Sequence, residues 1–246
     1  MKASRLARIV PALAAALAIG RAEGAGYPEK PVQYIIPFSA GGESDIAARL
    51  QAQLFKAKFG QEMIVVNKPG AGGALGWSQL NGLAGDGYNV MGVNVPHVIL
   101  QPLEPNTPYK TDDITPVYFF HYTPDAIVVA AESPHKTYAD LLAFAKANPG
   151  KVTFAGSAQY SANHMAHERF KSHAGVNTTY VPFKGTGDLI ASLLGQHVTA
   201  AMTYSTLAVQ QGVKVRLLAI ASEKRSPLFP GVPTFKEVGL GWAGGA

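Results

Sequence analysis

No cysteine occurs anywhere in the sequence. Without disulfides the chain must rely on an ordinary hydrophobic core, which suits a large α/β fold better than a small stapled scaffold. Charge is scarce too, at 15% of residues against 47% hydrophobic. That balance is too apolar for a disordered chain and enough for one large domain or two small ones. Long hydrophobic runs are missing as well, and no segment approaches the length of a membrane span.

What is present at the start is a different pattern. Lys2, Arg5 and Arg8 precede the short apolar stretch IVPALAAALAIG, and small residues follow in RAEGAG. This reads as a secretory signal peptide over residues 1–25, with the mature chain starting near Ala25 or Gly26, exported and soluble. The formal charge of the whole chain is +5. Loss of Lys2, Arg5, Arg8, Arg21 and Glu23 leaves seventeen basic groups against fifteen acids, a net +2. Most of the basic excess belongs to the export signal, so nothing in the charge calls for a nucleic-acid partner.

After the signal, short β-branched runs alternate with helical patterns. Strands are predicted near 32–36, 62–66, 88–93, 116–121, 126–130, 152–155, 178–181, 198–203 and 215–220. Such alternation argues for mostly parallel or mixed sheets flanked by helices. The first helix places Ile46, Ala47, Leu50, Leu54 and Ala57 on one face and ends at Gly60. Another starts at Thr137, which forms a capping-box pattern with Asp140, and stops at Asn148-Pro149-Gly150. The Pro-rich stretch 101–113 reads as a long loop, and 222–233 as a second break. The expected organisation is a first domain over 26–124, a second over 125–225, and residues 226–246 returning to the first as its incomplete end.

Three loops follow predicted strands and precede predicted helices. PFSAGGESD at 37–45 offers a nest of backbone N–H groups at the positive end of a helix, which favours an anion. Glu43 and Asp45 and the lack of a Lys-Ser/Thr pair argue against a nucleotide phosphate and leave a carboxylate as the milder guest. The alternative is that the glycines only make a tight turn and Ser44 or Asp45 caps the helix. NKPGAGGALG at 67–76 has glycines but neither the position nor the ribose-binding acid of a dinucleotide fingerprint. GSAQYSANH at 156–164 sets Ser157, Gln159 and Ser161 around another helix N-terminus, with Ser161 as its cap.

Catalytic signatures are weak. GWSQL at 76–80 lacks the last glycine of a nucleophile elbow, and HMAHE is not a zinc-binding H-E-x-x-H. His164, His167 and Glu168 are expected on the solvated face of a helix whose apolar side is Ala162, Met165, Ala166 and Phe170. His97, His121 and His135 are expected in loops or at the surface. No metal and no cofactor is called for.

VQYIIPFSAGGESDIAARL, IVVNKPGAGGALG, GDGYNVMGV, FAGSAQYSANHMAHERFKSHAGV, YVPFKGTGDLIASLLGQHV and SEKRSPLFPGVPTFKEVG together resemble the tricarboxylate-binding receptor family, the Bug receptors, over residues 27–239. The resemblance implies a two-domain α/β Venus-flytrap protein in the periplasm. It would close on a small organic carboxylate and hand it to the integral-membrane subunits of a tripartite tricarboxylate transporter. It implies ligand contacts from Phe38, Ser39, Gly41, Gly42 and Asp45 on one side and Ser157, Gln159 and Ser161 on the other, with His97 from GVNVPH. It also implies a monomer with no catalytic residues. Thr199, where the family commonly has Asp, is assigned to structure. Such receptors continue past the point corresponding to Ala246, so the chain reads as C-terminally truncated, with apolar surface of the first domain left uncovered. The competing reading is a secreted α/β hydrolase or dehydrogenase acting on a small carboxylate.

Overall fold

The computed structural model describes residues 26–246. The expected signal peptide lies outside the described residues. Two sheets organise the chain. In the first, β1 (Val32–Ile36) is central, with β2 (Met63–Asn67) and β3 (Asn89–Met91) parallel to it on either side. Helix α1 (Glu43–Phe59) connects β1 to β2, and the short helices α2 (Ala74–Trp77) and α3 (His97–Leu100) frame β3. The second sheet has five strands in the order β6-β5-β7-β4-β8. These are β4 (Asp125–Ala130), β5 (Thr153–Ser157), β6 (Thr179–Phe183), β7 (Ala200–Tyr204) and β8 (Val215–Ile220). β5 is parallel to β6 and β7, and β4 is antiparallel to β7 and β8, so this sheet is mixed. Its helices are α4 (Tyr138–Ala147), α5 (Ala162–Ala174), α6 (Thr186–Leu194) and α7 (Thr206–Gln211).

The second sheet is apolar on both faces because helices cover both. On one face Ile127, Val129, Phe154 and Met202 pack with Leu141 and Phe170 from α4 and α5. On the other, Ala126, Val128, Ala155 and Ala201 meet Leu189 and Leu193 from α6. The first domain has a smaller core around Tyr34, Ile36, Phe38, Ala48, Trp77 and Tyr109. Local signals set several ends. Thr137 and Asp140 form a reciprocal capping box, and Gly60 closes α1 in the left-handed region at φ 69°. Thr199 Oγ1 accepts the amide of Thr153 at 3.2 Å, a structural tie between neighbouring strands.

Four expectations need correction. Residues 116–121 form no strand, because no neighbouring chain supplies the ladder bonds a strand requires, and Val117 and Tyr118 stand in the open. Leu50 and Leu54 of α1 are exposed, while Asp45 and Ala48 are its buried residues. Periodicity marked an apolar line on this helix but not whether anything covers it. The tail does not return to the first domain. Phe235, Leu240 and Trp242 pack into the core of the second sheet, and Thr123 and Ala246 exchange backbone hydrogen bonds beside β4. Finally, His97, His135 and His167 are buried, at 1%, 8% and 0% exposure. His167 is held by Thr178 Oγ1 at 3.0 Å and Glu168 at 3.1 Å and tilts against Phe154, so a ring with satisfied nitrogens packs as an apolar disc.

Candidate functional site

The two domains meet along a seam built from the turns that lead into α1, α5 and α6. At the first turn, Gly41 adopts φ +76°, a conformation that glycine enters without steric cost. Its N–H donates to Asp45 Oδ2 at 2.9 Å. Asp45 is buried and paired with Arg49 at 2.9 Å. Burial pushes its carboxyl up, but the Arg49 guanidinium and the Gly41 amide outweigh this and hold it below the ordinary range. The N-cap of α1 is Gly42, with no side-chain cap, so neither Ser44 nor Asp45 fills that place. Asp45 shapes the turn from within, and its ionised carboxylate would repel an anionic guest.

The third predicted loop is also internally satisfied. Ser157 donates its backbone N–H and its hydroxyl to Asn163 Oδ1, at 3.2 and 2.8 Å. Ser161 is the N-cap of α5, accepting the His164 amide at 3.0 Å and donating to the Ser157 carbonyl at 2.9 Å. Gln159 is exposed and lines an open groove of about 470 Å³ with Gly72, Gln101, Tyr160 and Lys184. Beneath the loop, Asn163 Nδ2 donates to the fully buried Asp125 at 3.1 Å.

A further turn, Gly185-Thr186-Gly187-Asp188 at the start of α6, had no site role among the expectations although its segment carries part of the resemblance, and it seals the seam. Glu43 N–H donates to Thr186 Oγ1 at 2.8 Å, and Ser39 Oγ bonds Asp188. A Cβ on Gly42 would stand 2.8 Å from Thr186 Oγ1 and 3.0 Å from Gly187 N. The strand, glycine turn and helix order in FKGTGD is the same signal that marked PFSAGGESD. It was available in the sequence, but nothing local said that the two turns face each other.

Inside the seam Phe38, Glu43, Ser44, Asn94, His97, Ser157, Thr186 and Tyr204 surround a cavity of about 10 Å³, space for about one water. Of the residues expected to contact a ligand, Phe38, His97 and Ser157 line this cavity, Ser39, Gly41, Gly42, Asp45 and Ser161 do not, and Gln159 lines the neighbouring groove. Phe38 packs edge-on to Trp77 and His97, with ring centroids 6.1 and 5.5 Å away. Burial lowers the His97 pKa to about 3, so the imidazole is neutral, and its Nδ1 is buried without a hydrogen-bond partner. A buried unpaired nitrogen costs free energy until something meets it.

Glu43 is the centre of the seam. It accepts hydrogen bonds from Thr123 Oγ1 at 2.8 Å and from Thr206 Oγ1, and His121 Nε2 lies 3.5 Å away. Burial raises its pKa, but the bonds from His121, Thr206 and Thr123 prevail and the net direction is downward. On the far side of Glu43 a larger cavity of about 320 Å³ is lined by Tyr34, Ile36, Asn94 and the apolar run 116–120.

The family model for the tripartite tricarboxylate transporter family receptor matches residues 47–244. Protein BugT of Bordetella pertussis is 36% identical over 219 residues, covering 87% of this chain and 67% of its own. A solved R. palustris protein with adipate is 28% identical at a TM-score of 0.82, covering 89% of this chain and 75% of that one. MatC from Rhodopseudomonas palustris with bound malate is 27% identical at a TM-score of 0.78, covering 89% and 76%.

Proposed function

The chain belongs to the tripartite tricarboxylate transporter receptor family, and from that membership we propose that it is a periplasmic receptor for a small organic carboxylate. The observation that carries the reading is the seam itself. Glycine turns from both domains meet beside a small cavity lined by Glu43, Ser44, Asn94 and His97, and the neutral buried histidine there keeps one nitrogen unpaired. Closure of the domains assembles this arrangement and opening takes it apart, which suits capture and release.

In this reading the backbone amides of Ser39, Ala40 and Gly42, with Ser44, Asn94 and His97, meet the ligand directly, and Phe38 walls it, while the Gly41 amide stays with Asp45. Asp45, Ser157 and Ser161 hold the loops in shape, while Gln159 sits at the rim. Related proteins solved with adipate and malate support a carboxylate as the guest. The domain assignment that fits places residues 26–122 in the first domain and 123–246 in the second. Export through cleavage near Ala25 and delivery of the ligand to integral-membrane subunits complete the proposal. The protein binds without catalysis and acts as a monomer.

A thermal-shift and calorimetric screen of mono-, di- and tricarboxylates tests the function. A ligand held only by the folded protein raises the melting temperature through mass action. The expected result is stabilisation by at least one carboxylate that is recovered unchanged. Consumption of that carboxylate would favour the enzyme reading, and no stabilisation across the panel would reject the receptor.

A further inference from the structure

The seam contains one negative charge that its surroundings leave without a full counter-charge. Glu43 has only 12% of its side chain exposed. Among the described residues, no lysine or arginine lies within ion-pairing distance of it, and none lines the three cavities that it borders. Its partners are two threonine hydroxyls and His121, whose Nε2 at 3.5 Å neutralises charge only when protonated. The positive end of α1 supplies about half an elementary charge at best. Asp45 has Arg49 for a partner, so the deficit belongs to Glu43. At the outer edge of the same seam Asp188 adds a second carboxylate, bonded to Ser39.

An ionised carboxylate in a partly desolvated cleft discriminates among ligands by charge. A second anionic group brought close to it is repelled, and a cationic group is attracted, more strongly than either would be in water. The His97 imidazole beside it is neutral and does not offset the charge. The amides of Ser39, Ala40 and Gly42 are left for a single carboxylate, and the Ser44 and Asn94 side chains, hydrogen-bonded to each other at 3.3 Å, can turn to it.

Building on the receptor reading, we propose that Glu43 is a specificity-determining residue that selects zwitterionic ligands, with one carboxylate and one ammonium group, over dicarboxylates of the same length. The carboxylate lies toward the glycine turns and the ammonium group toward Glu43. The hydroxyls of Thr123 and Thr206 fix the Glu43 side chain in place, so the selection is made by a pre-positioned charge rather than by a mobile one.

Matched pairs test this by isothermal titration calorimetry on the purified protein: γ-aminobutyrate against succinate, and ε-aminocaproate against adipate, with butyrate and hexanoate as singly charged references. In each binding pair the amino acid should bind at least about tenfold more tightly than the dicarboxylate. Glu43→Gln should bring that ratio to within about threefold of unity. Circular dichroism of the variant confirms that it is folded, and the wild-type ratio stands as a test without it. Equal or tighter binding of the dicarboxylates by the wild type overturns the inference while leaving a carboxylate receptor in place. A ratio that survives in Glu43→Gln overturns the assignment to Glu43. Failure of all six compounds to bind overturns the inference for these ligands, whereas the wider carboxylate screen decides the receptor reading separately.

Discussion

Thr186 Oγ1 accepts the backbone N–H of Glu43 at 2.8 Å, so the first turn of a helix in one domain is completed by a side chain from the other. A helix N-terminus leaves several N–H groups without intrahelical partners. Here one of them is satisfied only while the domains are together. Thr186→Val keeps the shape and removes the acceptor. It should favour the open form, seen as a larger radius of gyration in small-angle scattering, and reduce stability to urea by about 1 kcal/mol. An unchanged radius and midpoint would show that closure does not depend on this bond.

Gly42 tests the approach of the two turns sterically. A side chain there meets Thr186 and the backbone of Gly187 at 3.0 Å or less. Gly42→Val should weaken binding of any carboxylate found in the screen at least about tenfold, since backbone cannot yield as the end of a flexible side chain can. Lys56→Ala, which loses only a surface ion pair with Glu62, should change affinity by less than about twofold. Equal effects of the two substitutions, measured by calorimetry, would remove the turn from the site.

Asp125 gives the stability a pH signature. Burial raises its pKa to about 7, against the opposing hydrogen bond from Asn163 and the charge of Arg169. An unfolded carboxyl titrates near about 3.9, so between about pH 4 and 7 the folded chain holds a proton that the unfolded chain has released. The contribution of Asp125 to stability is therefore complete below that window and is lost as pH rises through it. Asp125→Asn keeps an acceptor for Asn163 and removes the titration. Denaturation at pH 5 and pH 8 should show the wild type losing more stability than the variant, by up to about 1.4 kcal/mol per pH unit inside the window. Parallel profiles would show that Asp125 ionises alike in both states.

The run 116–122 exposes side chains that proteins usually cover. Val117 is 87% exposed, Tyr118 82% and Phe119 69%. Contiguous apolar surface of this kind promotes association. The chain, which captures its ligand as a monomer, should bind a hydrophobic dye and associate weakly at raised concentration, eluting progressively earlier in size-exclusion chromatography. Val117→Ser with Tyr118→Ser should reduce both effects. Dye binding and elution unaffected by the two substitutions would place the sticky surface elsewhere.

The elements that the sequence determined by itself are those governed by neighbours along the chain. β4 and β8 read as apolar runs because both faces of the sheet are buried there. Gly60, Thr137 with Asp140, and Ser161 mark helix ends because a cap involves residues three or four apart. The glycine turn at 39–42 was legible for the same reason. Tertiary structure decided which groups face one another. Burial of His97 and His167 depends on aromatic rings and a threonine elsewhere in the chain, and exposure of Leu50 and Leu54 depends on nothing lying over them. The run 116–121 has strand composition but no strand, since a ladder needs a second chain segment. Residues 235–242 go to the second sheet because that core has room for Phe235 and Leu240, which no local pattern could announce. The partners of Glu43 lie 80 and 163 residues away at Thr123 and Thr206. A glutamate that reads locally as a charge at a helix start thus becomes, through the fold, a fixed charge between two domains.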